Sequence, residues 1–150
     1  MVNVTNLYVP GTFDLFHVGH IRMFKYASKF GNVIAGVSTD ELVLSYKNLA
    51  PIYPFKERWE TVDACRYVNR VIPQRKFFSI PQLKKLNICY VILGSDWEGK
   101  DFPELDQAQK ALGFEIIYKP YTEETSSSKI KERIIRNSFD IIKAQLERDL

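Results

Sequence analysis

Two runs of unbroken apolar residues, Val33-Ile34-Ala35-Gly36-Val37 and Cys89-Tyr90-Val91-Ile92-Leu93, constrain the fold of this chain more than any other feature. A strand with one face in water alternates apolar and polar residues. A run that is apolar at every position is buried on both faces, as in a parallel sheet covered by helices on either side. Turn residues bound both runs: Gly31-Asn32 and Ser38-Thr39-Asp40 flank the first, and Gly94 ends the second. Shorter β-prone segments follow the same logic. They are Asn6 to Val9 ending at Pro10-Gly11, Val71-Ile72 stopped by Pro73, and Phe114 to Tyr118 ending before Pro120.

Helical periodicity fills the intervals. Met23, Ala27 and Phe30 recur at i, i+4, i+7 within Ile21 to Phe30, and Phe55, Trp59, Val62 and Arg66 mark one side of a second helix. Further helices are read at Ser79 to Leu86 and Pro103 to Leu112, while Lys47 to Pro54, with two prolines, reads as a loop. The alternation predicts an α/β fold with a doubly wound parallel sheet of about five strands and helices on both faces. Ligands of such sheets bind beyond the carboxyl ends of the strands, which here means Gly11 to His20, Gly94 to Lys100 and Tyr121 to Ser128.

With 150 residues and no linker, repeat or low-complexity tract, residues 1–150 are read as a single domain. A last helix from about Ser127 to Leu150 carries Ile135, Phe139, Ile142 and Leu146 at i, i+4, i+7, i+11, a stripe that either covers the sheet or meets a partner. The longest apolar run, Ile88 to Leu93, is six residues, far below the roughly twenty that span a bilayer. Met1 to Thr5 has neither the basic nor the apolar region of a secretory signal, so the expectation is a cytoplasmic chain without a membrane. A net charge of +3 gives no reason to expect nucleic acid. Cys65 and Cys89 both sit in apolar segments and are expected as buried thiols, not a disulfide.

The chemistry-bearing stretch is Gly11-Thr12-Phe13-Asp14-Leu15-Phe16-His17-Val18-Gly19-His20, which holds both histidines of the chain. Placed on a first helical turn, His17 and His20 face one side together with the amides of the helix N-terminus, a site suited to phosphate. Gly19 keeps the backbone approachable, and Gly11 permits the turn out of the strand. Donors so arranged stabilise a phosphorus centre whose oxygens gain charge during displacement, without a protein nucleophile. The bland alternative is a capped helix with two surface histidines. Zinc would need three or four ligands, and no further histidine exists.

With its His-x-Gly-His, this stretch resembles the signature of the nucleotidyltransferases, and the whole sequence is similar to their cytidylyltransferase branch, nearest to the glycerol-3-phosphate cytidylyltransferases. Three more stretches agree in order: Glu57-Arg58-Trp59 with Cys65-Arg66-Tyr67-Val68-Asn69, Gly94-Ser95-Asp96-Trp97-Glu98-Gly99-Lys100, and Tyr121-Thr122-Glu123-Glu124-Thr125-Ser126-Ser127-Ser128-Lys129-Ile130. The likeness runs from about Tyr8 to Arg133 and implies a Rossmann-like domain.

The implied reaction joins CTP and a phosphorylated alcohol into a CDP-alcohol and pyrophosphate, with Mg²⁺ carried by the CTP phosphates and not held directly by the protein. By resemblance, His17, His20 and Lys47 are catalytic. Gly11, Thr12, Phe13, Gly19, Arg66, Gly94, Asp96, Tyr121, Thr122, Thr125, Ser126, Ser127 and Ser128 join the two histidines around CTP. Lys47, eleven residues before Arg58, matches a substrate-contacting lysine, with Asp14 and Trp97 beside the acceptor. Trp97 either covers the site or packs; Arg66 either meets the nucleotide or makes a structural ion pair; the three serines also read as helix caps. Arg58 reads as structural. The family is commonly homodimeric, so a homodimer is expected.

The sequence departs from the pattern at Tyr121, where the family has arginine, at Glu124 for glycine, Thr125 for isoleucine and Asn69 for aspartate, and no second lysine follows Lys47. A glutamate turned toward a triphosphate would repel it by roughly 1 kcal/mol at 4 Å in water. Rival readings are a cytidylyltransferase for another phosphate monoester or a phosphonate, an adenylyltransferase of the same superfamily, a non-catalytic nucleotide-binding module, and a fragment of a class I aminoacyl-tRNA synthetase.

Overall fold

A computed structural model describes residues 4–120, 122 and 124–148. The chain runs β1 (Asn6–Gly11), α1 (Val18–Ala27), β2 (Asn32–Ser38), α2 (Asp40–Lys47), α3 (Phe55–Asp63), β3 (Arg70–Gln74), α4 (Ile80–Lys85), β4 (Ile88–Gly94), a 3₁₀ turn (Ser95–Trp97), α5 (Pro103–Leu112), β5 (Glu115–Lys119) and α6 (Ser127–Arg148). Among the described residues the five strands form one parallel sheet in the order β3-β2-β1-β4-β5.

The unbroken apolar runs have the expected cause. Neighbouring residues of one strand face opposite sides, and both sides are covered. Tyr8, Ile34, Ile72, Val91 and Leu93 pack with Leu83 of α4 and Leu105 and Ala108 of α5. Leu7, Val9, Val33, Ala35, Val37, Val71 and Ile92 pack with Phe24 and Ala27 of α1 and Val62 of α3. The chain winds outward from β1 through β2 to β3, then returns to β4 on the other side of β1. Right-handed crossovers taken in opposite directions put their helices on opposite faces and open a crevice between the carboxyl ends of β1 and β4.

Four sequence expectations need correction. Residues 40–47 form α2, which the sequence reading leaves unassigned: Thr39 caps it by accepting from Leu42 N–H at 3.3 Å, and Asn48 ends it in the left-handed conformation. Lys47 is therefore the last residue of a helix, not part of a loop. Pro73 does not stop β3, which continues to Gln74 with Pro73 opposite Val37; β3 is an edge strand, where the missing proline N–H costs no ladder bond. Helix α3 ends at Asp63 with Ala64 as its cap, so Arg66 falls beyond the side marked by Phe55, Trp59 and Val62.

The thiols are the fourth. Cys65 is half-buried and Cys89 is exposed. The register between β1 and β4 jumps from Asn6↔Ile88 to Leu7↔Tyr90, which leaves Cys89 as the extra residue of a bulge. Its Sγ reaches only the Asn87 carbonyl, at 3.7 Å.

Helix α6 leaves the body soon after it begins. None of its residues is buried, and Ile134, Ile135, Phe139, Ile141, Ile142 and Leu146 are each more than half exposed. The apolar stripe does not cover the sheet. No helix among the described residues is long and apolar enough to cross a membrane.

Candidate active site

The crevice predicted by the topology is a cleft of about 450 Å³. Val9 to Gly11 of β1 and Ile92 to Gly94 of β4 form its floor, flanked by the N-termini of α1 and α6. Of the residues singled out in the sequence, Gly11, Thr12, Phe13, Asp14, His17, Gly19 and His20 line it from the β1–α1 side. Lys47 closes one end, and Gly94, Asp96 and Trp97 the other; Thr122 and Ser126 to Ser128 form the opposite rim. Tyr121 lies outside the described residues. Thr125 sits beside the cleft near Gly19. Arg66 is elsewhere, in a shallow surface hollow with Phe16, Ile21 and Tyr67.

The histidines are built into the helix start. His17 is the N-cap of α1, and its Nδ1 accepts the Gly19 N–H at 3.0 Å. His20 Nδ1 accepts the His17 N–H at 3.2 Å, completing a reciprocal capping box. Because both Nδ1 atoms accept, each neutral ring keeps its proton on Nε2, the nitrogen left to donate to a ligand. The rings stack with centroids 3.9 Å apart, and Phe16 and Phe13 enclose His20, each at 5.4 Å. A Cβ at position 19 would meet the His17 ring at 2.8 and 2.9 Å, so Gly19 also makes room for the imidazole.

Burial lowers the pKa of His17. It pushes His20 down to about 3, with His17 adding to the shift and Asp14 opposing it. Both rings are uncharged donors at neutral pH. The folded His20 refuses a proton that the unfolded chain accepts below its ordinary 6.5, so the native state is favoured above 6.5 and loses stability as pH falls toward 3. Thermal unfolding between pH 7 and pH 4 should therefore show a falling midpoint, and His20→Phe should flatten that fall. An unchanged slope in the variant would refute the assignment.

The loop between β1 and α1 is held by groups from distant parts of the chain. Phe13 and Leu15 adopt φ of 55° and 47°, left-handed conformations that cost about 1 kcal/mol or more each for residues with side chains. Asp14, almost fully buried, offsets this cost. Its Oδ1 accepts N–H bonds from Leu15 and Tyr53 at 3.1 and 3.0 Å, and its Oδ2 accepts one from Ile52 at 2.8 Å. Its carbonyl accepts the Ser127 hydroxyl at 2.7 Å, fastening α6 to the loop. Ser126, meanwhile, caps α6 by accepting the Lys129 N–H at 3.1 Å.

Arg58 is structural, as its sequence context suggested, and its reach is wide. Only 1% exposed, it donates to the carbonyls of Tyr53, Thr12 and Ser38 at 2.9, 2.6 and 2.8 Å and pairs with Asp40 at 2.6 Å. At the cleft wall, Tyr8 Oη donates to Gln74 Oε1 at 2.7 Å and Gln74 Nε2 to Ser38 Oγ at 3.0 Å, so these buried polar groups are partnered.

Two departures from the family pattern acquire physical explanations. Glu124 is exposed and pairs with Arg22 at 3.0 Å, pointing along α1 instead of into the cleft. Asn69 accepts the Val33 N–H at 2.9 Å through Oδ1, a role that needs an acceptor oxygen but no charge.

Other cleft residues escaped the sequence reading. Lys119, Lys131, Tyr46, Phe77, Phe78 and Phe102 all line it. Trp97 lies 5.5 Å from Phe102 at a tilt, and the Phe102 ring is 5.2 Å from Phe77 edge to face, giving one aromatic wall. The helical phase of α6 offers a signal for Lys131, one turn beyond Ser127 on the same side. The lysines counter the carboxylates of Asp14 and Asp96 and leave the cleft suited to anions, with an apolar wall for a planar group.

A family model described as cytidylyltransferase-like matches residues 8–133. The glycerol-3-phosphate cytidylyltransferase of Bacillus subtilis (strain 168) is 38% identical over 127 residues, covering 83% of this chain and 92% of that protein. The FAD synthase of Pyrococcus horikoshii is 35% identical over 133 residues, covering 84% of this chain and 89% of its own. Among solved structures, the lipopolysaccharide core biosynthesis protein from Thermoplasma volcanium GSS1 shares the fold, with a TM-score of 0.66 at 21% identity over 81% of this chain and 99% of that one.

Proposed function

The chain belongs to the cytidylyltransferase-like family of nucleotidyltransferases, and from that membership we propose that it transfers CMP from CTP to a phosphorylated small alcohol, glycerol 3-phosphate foremost. The supporting observation is the pair of uncharged imidazoles at the N-terminus of α1, their Nδ1 atoms bound and their Nε2 protons left for a ligand. A phosphate monoester is already anionic, so its oxygen needs no general base. It attacks the α-phosphorus in line, the new P–O bond forms as the bond to the bridging oxygen breaks, and pyrophosphate departs with that electron pair. No proton need be taken from the nucleophile. The two Nε2–H groups, with the amides at the helix start, donate to oxygens whose charge grows along this path.

The nucleotide lies, on this reading, across the β4 side. Asp96 and the backbone at Gly94 face the nucleoside, Trp97 and Phe102 face the base, and Thr122 with Ser126 to Ser128 face the phosphates. Mg²⁺ carried by the CTP phosphates would supply neutralisation of the leaving pyrophosphate, while the Asp14 carboxylate is occupied by backbone amides.

The test is pyrophosphate release by the purified full chain with Mg²⁺, offering CTP or ATP against glycerol 3-phosphate, phosphoethanolamine, phosphocholine, ribitol 5-phosphate, a small phosphonate and FMN. CTP-dependent turnover of glycerol 3-phosphate is the expected result. Turnover of another phosphoalcohol or a phosphonate would replace the acceptor. ATP-dependent turnover of FMN, the direction of the FAD synthase relatives, would overturn the cytidylyl assignment.

The same reading includes a homodimer joined through α6. Ile135, Phe139, Ile142 and Leu146 are spaced four, three and four apart, the spacing of a coiled-coil seam. That spacing reads the same in either direction, so an antiparallel copy sets Ile135 against Leu146 and Phe139 against Ile142. The chain exposes 9874 Å², against roughly 7,900 Å² for a compact body of its mass. A freestanding amphipathic helix contributes to that surplus, and pairing would bury its apolar face. Sedimentation velocity should give twice the chain mass, and a monomer at micromolar concentration would refute the pairing.

A further inference from the structure

We infer that Lys131 of α6 is a second cation for the acceptor, holding its phosphate together with Lys47 on the side of the cleft opposite the nucleoside. The inference rests on the phosphoalcohol reading above and adds to it a residue that lies on a different element from Lys47. The cleft divides at the switch point. Gly94, Asp96, Trp97, Lys119 and Thr122 stand at the β4–β5 end, and Lys47, Asp14, Thr12 and Tyr46 at the β1–α2 end. Lys131 belongs to the second group, with Nζ 3.8 Å from Asp14 Oδ2.

Charge and hydrogen bonding at that end are unbalanced. Asp14 is the carboxylate between the two lysines, and its oxygens already accept three backbone N–H groups. A carboxylate so occupied neutralises at most one cation, and the nearby Arg58 is matched by Asp40. One positive charge is left over between Lys47 and Lys131. In keeping with this, the pKa of Lys47 is lowered, first by burial and then by the charge of Lys131, with Asp14 opposing and Arg58 adding a smaller push down. Two lysines lining the same end of the cleft, one of them 3.8 Å from its carboxylate, are matched by a dianion, and a phosphate monoester is one.

Position favours the acceptor over the nucleotide. Lys131 lies one helical turn beyond Ser127, whose hydroxyl bonds the Asp14 carbonyl, so the helix carries the lysine past the phosphate-binding N-terminus toward the β1–α2 end. Thr12 Oγ1 and Tyr46 Oη, 3.0 Å apart, stand at the same end as hydroxyls suited to an alcohol.

The test separates this role from the reading beneath it. Steady-state kinetics of Lys131→Gln should raise KM for glycerol 3-phosphate about ten-fold or more while KM for CTP stays within about two-fold, and Lys131→Arg should recover most of the loss. Binding of glycerol 3-phosphate, measured by calorimetry without CTP, should weaken in parallel, and the thermal midpoint should stay put. An active wild type with an unaltered Lys131→Gln variant overturns the inference alone. A rise confined to KM for CTP assigns Lys131 to the triphosphate and overturns it too, as does a variant that merely melts early. A wild type that neither binds nor turns over glycerol 3-phosphate removes the acceptor reading and this inference together.

Discussion

Replacing His17 with asparagine should lower kcat by about 10²- to 10³-fold, the loss of roughly 3 to 4 kcal/mol that follows removal of one preorganised transition-state donor. Asparagine is chosen because His17 has two roles. As N-cap it accepts the Gly19 N–H, and asparagine caps helices equally well. As donor it presents Nε2–H, a position that the shorter amide does not reach. His17→Asn should thus lose rate and keep its thermal midpoint. His17→Ala should lose the same rate and also about 1 kcal/mol of stability with the cap, or about 3 °C. Measured kcat near wild type in the asparagine variant would remove His17 from the chemistry. A drop in midpoint without a drop in kcat would reduce it to a cap.

Arg58→Ala should be the most destabilising single change in the cleft region. The side chain is buried at the meeting of three segments and makes four polar contacts at 2.6 to 2.9 Å. Its removal leaves carbonyls of Thr12, Ser38 and Tyr53 without that donor and the Asp40 carboxylate without its cation. Breaking such a buried arrangement costs about 3 to 5 kcal/mol, which for a chain of this size lowers the midpoint by about 10 °C. Arg58→Lys retains charge but loses the planar fork, and should recover less than half of the loss. Both variants should also lose activity, because Thr12 and the Tyr53 loop that grips Asp14 are released together. A midpoint within 2 °C of wild type in Arg58→Ala would contradict this account.

The sheet was legible because its signal is local. Val33 to Val37 and Cys89 to Leu93 announce two covered faces by composition alone, and the glycines, prolines and polar clusters at their ends mark where ligands are met. The His-x-Gly-His was legible for the same reason, since a cap and its helix are consecutive. What escaped depends on partners far along the chain. The exposure of Cys89 is not legible locally, because a bulge depends on the register of β1 against β4. Helix α2 gives a weak signal because Leu42-Val43-Leu44 lacks a clear helical period, and its Thr39 cap is a weaker cue. Asp14 lines the cleft as the resemblance implies, but the amides of residues 52 and 53 that its oxygens also accept are a match that no spacing rule reveals. The apolar spacing extends α3 to Arg66, whereas the helix stops three residues before it.

The hydroxyl of Ser127 bonds the carbonyl of Asp14 across 113 residues of chain. That single closure sets an order in time. Strands β1 to β5 are complete by Lys119, so the sheet and its two cores have all their residues before α6 is made. The loop that carries Asp14 and leads to His17 is then already tied by Arg58 and by the amides of Ile52 and Tyr53, but its rim of serines and its lysine from α6 are still missing. Contacts of such sequence separation form late, because their loop entropy is opposed only once the intervening chain is ordered. Folding of the body and completion of the cleft are therefore separate events during synthesis, and a chain halted near residue 120 would hold the architecture and both histidines but lack the rim of serines and Lys131.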